Sequence, residues 1–287
     1  MLYKPKLSLI INGQVLGFKF LEALDQVAQT MSQRRASQIL GISHAVLNRR
    51  IKDAEEKLSM KLVDTTGSGS ELTKNGREIL QKYRNLMKRL EKHTKPVISG
   101  GYISTGLIEV LAAEYGLDVL IYKSDDESAL YLADRDMVDI LTLDDPAKAF
   151  MRDLDFIPIA RDHLVLVSPA GVTVEHLDEL EGKKFVEIVG SSQRLAWNTL
   201  DNKGVDYNLV KHVKSPYEAL KLVQSNKDLY TFLNNSFIPG CDMLKDDTQH
   251  IITLVLLKQD NERLKRFLEF ILGRGRKIIK ESGFETI

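Results

Sequence analysis

The chain has 287 residues and a single cysteine, Cys241. That excludes an intrachain disulfide framework and any cysteine-rich zinc site, and it fits a reducing compartment. Long apolar runs are missing too. No stretch reaches the roughly 18 residues a transmembrane helix needs, so none is expected. The opening MLYKPKLSLIING holds a five-residue stretch broken by Ser8, too short for the core of a signal peptide. A cytoplasmic protein without membrane contact is expected. Catalytic signatures are also absent. The sequence contains no GxxxxGK(S/T), GxSxG or GxGxxG. His44, His93, His163, His176, His212 and His250 are scattered, with no pair at metal-ligand spacing. No enzyme, metal or cofactor is therefore expected.

Net charge is missing as well, with 40 basic against 40 acidic side chains. The balance hides a split. Residues 1–98 carry 18 basic and 9 acidic side chains, and the remainder carries 22 and 31. A basic module for a polyanion joined to an acidic module with another task is the physical reading. Length gives two domains, and 43% hydrophobic residues suffice for real cores.

In the basic part, Leu7–Ile11 and Gln14–Leu16 flank Asn12-Gly13, a pair that tolerates positive φ, so a β-hairpin is predicted. Phe20, Leu21, Leu24, Val27, Ala28 and Met31 follow a helical period. A second helix over Gln33–Leu40 stops at Gly41, and Ser43 can cap a third, Ala45–Leu58. Val46, Leu47, Ile51, Ala54 and Leu58 fall on one side of that helix. Helix, glycine turn, helix is a helix-turn-helix pattern. Two short strands around a polar loop, Thr65–Ser70, suggest a wing. Thr73 can cap a long helix from Asn75 to about His93, ended by Pro96. Its stripe of Ile79, Leu80, Tyr83, Leu86, Met87 and Leu90 is wider than a spacer needs, which suggests burial against a second copy. From Val97, apolar runs such as Val119–Tyr122, Val138–Leu143, Leu164–Val167, Phe185–Val189 and Ile251–Leu257 alternate with helical stretches, an α/β texture.

The stretch SQRRASQILGISHAVLNRRIKDAEEKLSMKLVD followed by SELTKNGREIL resembles the winged helix-turn-helix of LysR-type regulators. The residues that carry the resemblance are Ala36-Ser37, Leu40-Gly41, Ile51-Lys52 and Leu72–Gly76, in order over about 60 residues. Arg34-Arg35 departs from it, standing where relatives carry small or polar residues. The opening hairpin, the Gly/Ser wing and Tyr83 look closer to the molybdate-responsive ModE regulators. Residues 97–287 resemble periplasmic-binding-protein-like effector domains, through Ser99-Gly100-Gly101, Ser124 with Ser128-Ala129-Leu130, Val138-Asp139-Ile140, Asp155–Pro158, Gly190–Arg194 and a closing helix over Leu264–Gly283.

The resemblance implies an α/β chain in three parts. Residues 1–72 would be a winged helix-turn-helix, 73–96 a linker and dimerisation helix, and 97–287 a two-lobed domain with junctions near Asp155–Arg161 and Phe237–Thr248. With the apolar side of the third helix inward, Ser43, His44, Ala45, Asn48, Arg49 and Lys52 face out and are candidate DNA contacts. An ordinary solvated helix face would carry similar residues, and the basic surplus and motif order decide between the two. Arg34, Arg35, Arg50, Lys74 and the wing, Ser68 included, are candidate phosphate contacts.

In the carboxyl-terminal part, Ser99, Ser104, Thr105, Ser124, Ser128, Ser191 and Ser192 fall in loops after strands, where hydroxyls and helix amides can bind an oxyanion, with Arg194 nearby. Simple helix capping suits every one of these serines equally. Asp125-Asp126-Glu127 opposes an anion such as molybdate or tungstate, and leaves a cationic or neutral ligand, or none, open. The expectation is a homodimeric regulator of double-stranded DNA that senses a small molecule. The alternatives are a regulator whose effector domain only assembles the oligomer, and a small-molecule-binding protein or enzyme using the winged helix for protein contacts.

Overall fold

A computed structural model describes residues 5–67, 69–90 and 95–287. The chain divides into two units, residues 1–92 and 93–287. In the first, Asn12 and Gly13 take φ of 51° and 76° and turn β1 (Leu9–Ile11) back onto β2 (Gln14–Leu16). Then follow α1 (Phe18–Thr30), α2 (Gln33–Ile39) and α3 (His44–Leu58), the two-stranded wing β3 (Val63–Thr66) and β4 (Gly69–Leu72), and α4 (Lys74–Leu90). Leu16, Phe20, Leu24, Val27, Leu47, Ile51, Leu58 and Leu62 fill the core. Val46, expected on the core side of α3, is half-buried.

Ile79, Leu80 and Tyr83 of α4 close that core from below. Each such burial contributes about 1.5–3 kcal/mol. Half of the stripe expected to meet a second copy is thus satisfied within its own unit. Leu86 and Met87 stay half-buried, and Leu90 is exposed. The expected extension of this helix to His93 lies outside the described residues.

The second unit contains two sheets. The first lobe holds β5 (Val97–Gly100), α5 (Tyr102–Tyr115), β6 (Leu120–Lys123), α6 (Asp126–Ala133), β7 (Ile140–Leu143), α7 (Ala147–Met151) and β8 (Ile157–Asp162). The second lobe holds β9 (Leu164–Val167), β10 (Lys183–Ile188), α8 (Arg194–Asn202), β11 (Tyr207–Val213), α9 (Pro216–Ser225) and β12 (Leu229–Asn234). The chain then returns to the first lobe with β13 (His250–Leu256), α10 (Glu262–Leu272) and α11 (Arg276–Glu281). The sheet orders are β6-β5-β7-β13-β8 and β11-β10-β12-β9. Three neighbouring strands of each are parallel, and the strands at the crossing side are antiparallel.

Two differences from the sequence reading have clear causes. The first lobe junction is not at Asp155–Arg161, because those residues lead into and form most of β8, paired to β13. The chain crosses at His163. The single closing helix expected over Leu264–Gly283 is broken into α10 and α11 at Gly273 and Gly275, residues of low helix propensity. At the crossing, the Asp162 carboxylate accepts hydrogen bonds from the His163 amide (2.8 Å), Asn234 Nδ2 (3.0 Å) and Ser236 Oγ (2.6 Å). One buried carboxylate therefore ties both connecting segments together.

Candidate nucleic-acid interface and effector cleft

Ser32 Oγ accepts from the Arg35 amide and Ser43 Oγ from the Val46 amide, both at 3.3 Å, which fixes where α2 and α3 begin. Leu47, Ile51, Ala54 and Leu58 are buried. The helix period then leaves Ser43, His44, Ala45, Arg49 and Lys52 exposed, with Asn48 half-buried beside them. Arg34 and Arg35 are exposed at the start of α2, and Lys74 at the start of α4. Among the described residues none pairs with Arg34, Arg35, Arg49, Lys52 or Lys74 in a salt bridge. Arg50 is partly engaged, with Nη1 donating to the Lys19 carbonyl at 3.4 Å. Ser68 lies outside the described residues.

A residue the sequence reading passed over locks this face to the wing. Glu55 Oε1 accepts from the amides of Leu62 (2.7 Å) and Val63 (3.1 Å). The only cue was its position: an acid on α3 within reach of the turn that follows it.

In the second unit, a narrow cleft lies between the lobes, with about 30 Å³ of interior room, and opens to solvent. From the first lobe it is lined by Tyr102, Ile103, Ser124, Asp125, Asp126 and Asp144. Ile188, Val189, Ser191, Gln193, Lys214, Pro216, Phe232 and Asn234 line it from the other side. Of the residues expected to bind ligand, Ser124 and Ser191 line it, and both hydroxyls are already used. Ser124 Oγ donates to the Asp125 carbonyl (3.0 Å) and Ser191 Oγ to the Ile188 carbonyl (2.8 Å). Ser99 is buried, donating to the Tyr122 carbonyl. Ser104 and Thr105 donate to the Gly101 carbonyl inside α5, and Ser128 to Asp125 Oδ2. Ser192 is buried with no partner for its hydroxyl among the described residues, and it does not line the cleft. Arg194 meets Asp145 across the lobes, Nε to Oδ2 at 2.5 Å and Nη2 to Oδ1 at 2.8 Å.

The carboxylates organise the cleft. Asp144, at the carboxyl end of β7, turns its side chain onto the first turn of α5. Its oxygens accept from the amides of Ile103 (3.1 Å) and Ser104 (2.7 Å). Gly101 permits this approach, because a Cβ there would stand 2.2 Å from the Asp144 carboxyl carbon. The positive end of α5 is thus filled by the chain's own anion. The sequence reading took Asp144-Asp145-Pro146 as a helix-starting turn. Asp145 does serve α7, accepting from the Ala147 amide, but Asp144 serves α5.

Asp125 caps α6, accepting from the Ser128 amide at 2.9 Å. Burial works against its charge, but the Ser128 amide and hydroxyl, with Lys214 at 3.9 Å, hold its carboxyl below the usual range. Asp126 behaves oppositely. Burial, and then the charge of Asp144, push its carboxyl well above the usual range, against the pull of Lys148 and the amides of Asp144 and Asp145. Burial raises Asp144 too, but the Ser104 and Ile103 donors favour its charged form. Gln193 is a further residue missed from sequence. It receives the Ile188 amide (2.6 Å) and donates to Thr231 and to the Phe232 carbonyl, holding the loop after β10 in place.

Comparison with known proteins places the first unit. Residues 18–77 match the model of the bacterial regulatory helix-turn-helix protein, lysR family. The amino-terminal unit carries a LysR-type helix-turn-helix. Along the whole chain, an uncharacterized HTH-type transcriptional regulator of Methanocaldococcus jannaschii is 28% identical over 296 aligned positions, covering 96% of this chain and all of the relative. Among solved structures, a cysteine mutant of Corynebacterium glutamicum OxyR superposes with a TM-score of 0.54 at 18% identity, covering 92% of this chain and 93% of that one. A Clostridium perfringens substrate-binding protein named for phosphate ABC transport, solved with bound phosphate, also gives 0.54, at 16% identity. It covers 68% of this chain and all of that one. These likenesses show the fold: α/β overall, a LysR-type winged helix-turn-helix followed by a two-lobed domain of the periplasmic-binding-protein type. Among the described residues, no helix is long and apolar enough to cross a membrane, and no three His, Cys, Asp or Glu side chains are grouped to hold a metal.

Proposed function

We propose that the chain is a sequence-specific DNA-binding transcriptional regulator whose carboxyl-terminal domain binds a small ligand between its lobes. One observation carries the DNA half of this reading. The outward side of the LysR-type α3 presents Asn48, Arg49 and Lys52, none in a salt bridge among the described residues, and Arg34, Arg35 and Lys74 are exposed on α2 and α4. Asn48 and Arg49 suit bidentate bonds to base edges in a major groove, and the others suit phosphates. The family of residues 18–77 and the name of the Methanocaldococcus relative support the same reading. A ligand regulates such a protein only if it binds one lobe arrangement better than the other. Ligand binding, rather than assembly alone, is supported by the cleft and its strongly perturbed Asp126. An oxyanion ligand has the likeness to a phosphate-bound protein behind it, and the Asp144 carboxylate at the α5 amides against it. The protein acts in the cytoplasm, as a homodimer whose remaining α4 stripe, Leu86 and Leu90, meets its copy.

The experiment is selection of duplexes from a random pool by the full chain, followed by binding of Arg49→Ala, Asn48→Ala and Lys74→Ala. Arg49 and Asn48 variants are expected to lose about 1–3 kcal/mol on the selected site and to relax preference at one base position. Lys74→Ala is expected to weaken all duplexes alike. Failure to enrich any sequence refutes sequence-specific binding.

A further inference from the structure

Asp126 poses a problem that the fold alone does not solve. The residue is 4% exposed, it lines the cleft, and its Oδ1 accepts a long bond, 3.4 Å, from the Asp144 amide, with the Asp145 amide also favouring its charge. Its Oδ2 has no hydrogen-bond partner among the described residues. A buried carboxylate oxygen without a donor is costly, and native proteins rarely keep one without a use.

The cations around the cleft do not serve it. Arg194 is committed to Asp145. Lys214 lies at Asp125, 3.9 Å away. Lys148 eases the charge of Asp126 from a distance but reaches toward the other lobe, where a Cβ on Gly190 would stand 2.9 Å from its Nζ. Asp144 adds a second carboxylate beside Asp126, so the pair keeps negative charge even when one proton is shared. Apolar side chains complete the lining: Tyr102 on the same lobe, and Ile188, Val189, Pro216 and Phe232 on the other.

We propose that the cleft receives a small organic cation, an ammonium or amidinium on an apolar body, whose N–H groups donate to Asp126 Oδ2 while the Asp144 carboxylate supplies counter-charge. The inference rests on the reading of this unit as a ligand-binding effector domain, and it names the ligand class. The cation enters with its own protons, and its charge favours the ionised form of Asp126, so any proton displaced from that carboxyl leaves to solvent. The apolar body covers the walls. An oxyanion would face Asp126 and Asp144 at once, with the α5 amides already taken.

The test uses the full chain with isopentylamine, phenethylamine and benzamidine hydrochlorides, and with sodium molybdate and sodium phosphate as the anion arm. Thermal unfolding and calorimetric titration in two buffers of different ionisation enthalpy are the readouts. At least one amine or amidine is expected to raise the unfolding temperature at millimolar concentration, with net proton release on binding rather than uptake. Asp126→Asn is expected to weaken that binding about tenfold or more. Glu127→Gln removes the same charge from an exposed neighbour and is expected to bind as the parent does. Proton release is read on the unaltered protein, so it stands even if Asp126→Asn folds poorly. Stabilisation by molybdate or phosphate alone, no response to any amine, or equal amine binding by Asp126→Asn overturns the proposal. Binding of selected DNA, measured on the same preparations, separates the failures. A chain that binds its duplex and ignores the amines loses only the ligand class. One that binds amines and no duplex loses only the regulator reading.

Discussion

The Asp145–Arg194 pair holds the two lobes together by side chains alone, and its energy can be measured. Asp145 is almost fully buried, whereas the Arg194 side chain is 46% exposed. Removing one partner of a fully buried pair costs about 3–5 kcal/mol, and an exposed pair contributes about 0–1 kcal/mol. Water screens the exposed half of this guanidinium, but the carboxylate beneath it cannot be rehydrated without opening the cleft. Arg194→Ala is therefore expected to cost about 1–3 kcal/mol, discounted from the buried limit for that screening. With a urea slope of about 2 kcal/mol per molar, the midpoint should fall by about 0.5–1.5 M. The assay is built into the chain. Its one tryptophan, Trp197, stands one turn further along α8 and packs edge-on against Phe185 at 5.4 Å, so its emission reports the second lobe. In a double-mutant cycle with Asp145→Ala, the coupling energy is expected near 1–2 kcal/mol. The Asp145 bond to the Ala147 amide cancels in the cycle, because it is lost in both arms that carry Asp145→Ala. A coupling below about 0.3 kcal/mol at low salt would show that the pair does not hold the lobes, and the reasoning would fail.

Other perturbations separate the parts of the structure. Gly76→Ala places a Cβ 2.2 Å from the Leu62 carbonyl oxygen, a backbone atom, so the first unit should lose about 2 kcal/mol or more, read as an earlier loss of helical circular dichroism. Glu55→Ala leaves the Leu62 and Val63 amides without their acceptor, and should cost about 1–3 kcal/mol and weaken DNA binding, while an unchanged wing and unchanged affinity would contradict the role given to Glu55. The raised carboxyl of Asp126 means the folded state holds a proton that the unfolded state has released. Stability should therefore fall as pH rises from the ordinary aspartate value, 3.8, through the raised one, and Asp126→Asn should flatten that fall in pH-dependent urea midpoints. Sedimentation of the full chain should give a dimer that Leu90→Lys weakens, and a monomer at tens of micromolar would remove α4 from assembly.

Much of the first unit was legible in the sequence because its signals are local. Asn12-Gly13, Gly41, Ser43 and Thr73 set turns and caps within a few residues, and the period of Leu47, Ile51, Ala54 and Leu58 chose the buried side of α3. The partner of α4 was not legible, since an apolar stripe states that a surface is buried and not what buries it. In the second unit the strands showed through, and the resemblance gave the two lobes with Ser124 and Ser191 at the cleft between them, but not what the cleft's side chains do. The serines chosen there satisfy their own backbone, as hydroxyls within reach of a carbonyl commonly do. The acids at the site act over distances in sequence that no local pattern carries: Asp144 reaches back 40 residues to Ser104, and Arg194 reaches Asp145 over 49.

DNA binding as a function of salt tests the central claim most directly. Residues 1–98 carry nine more basic than acidic side chains, and the exposed arginines and lysines of α2, α3 and α4 are free to replace counterions. For a dimer that neutralises about 6–10 phosphates, fluorescence anisotropy of a labelled duplex should give log K falling with log salt at a slope of about −5 to −9. The slope should drop by about one to two when Lys74 is replaced by alanine in both copies. A flat response between 50 and 300 mM salt, or no binding at the lowest, would contradict the assignment of α3 and its neighbours to DNA.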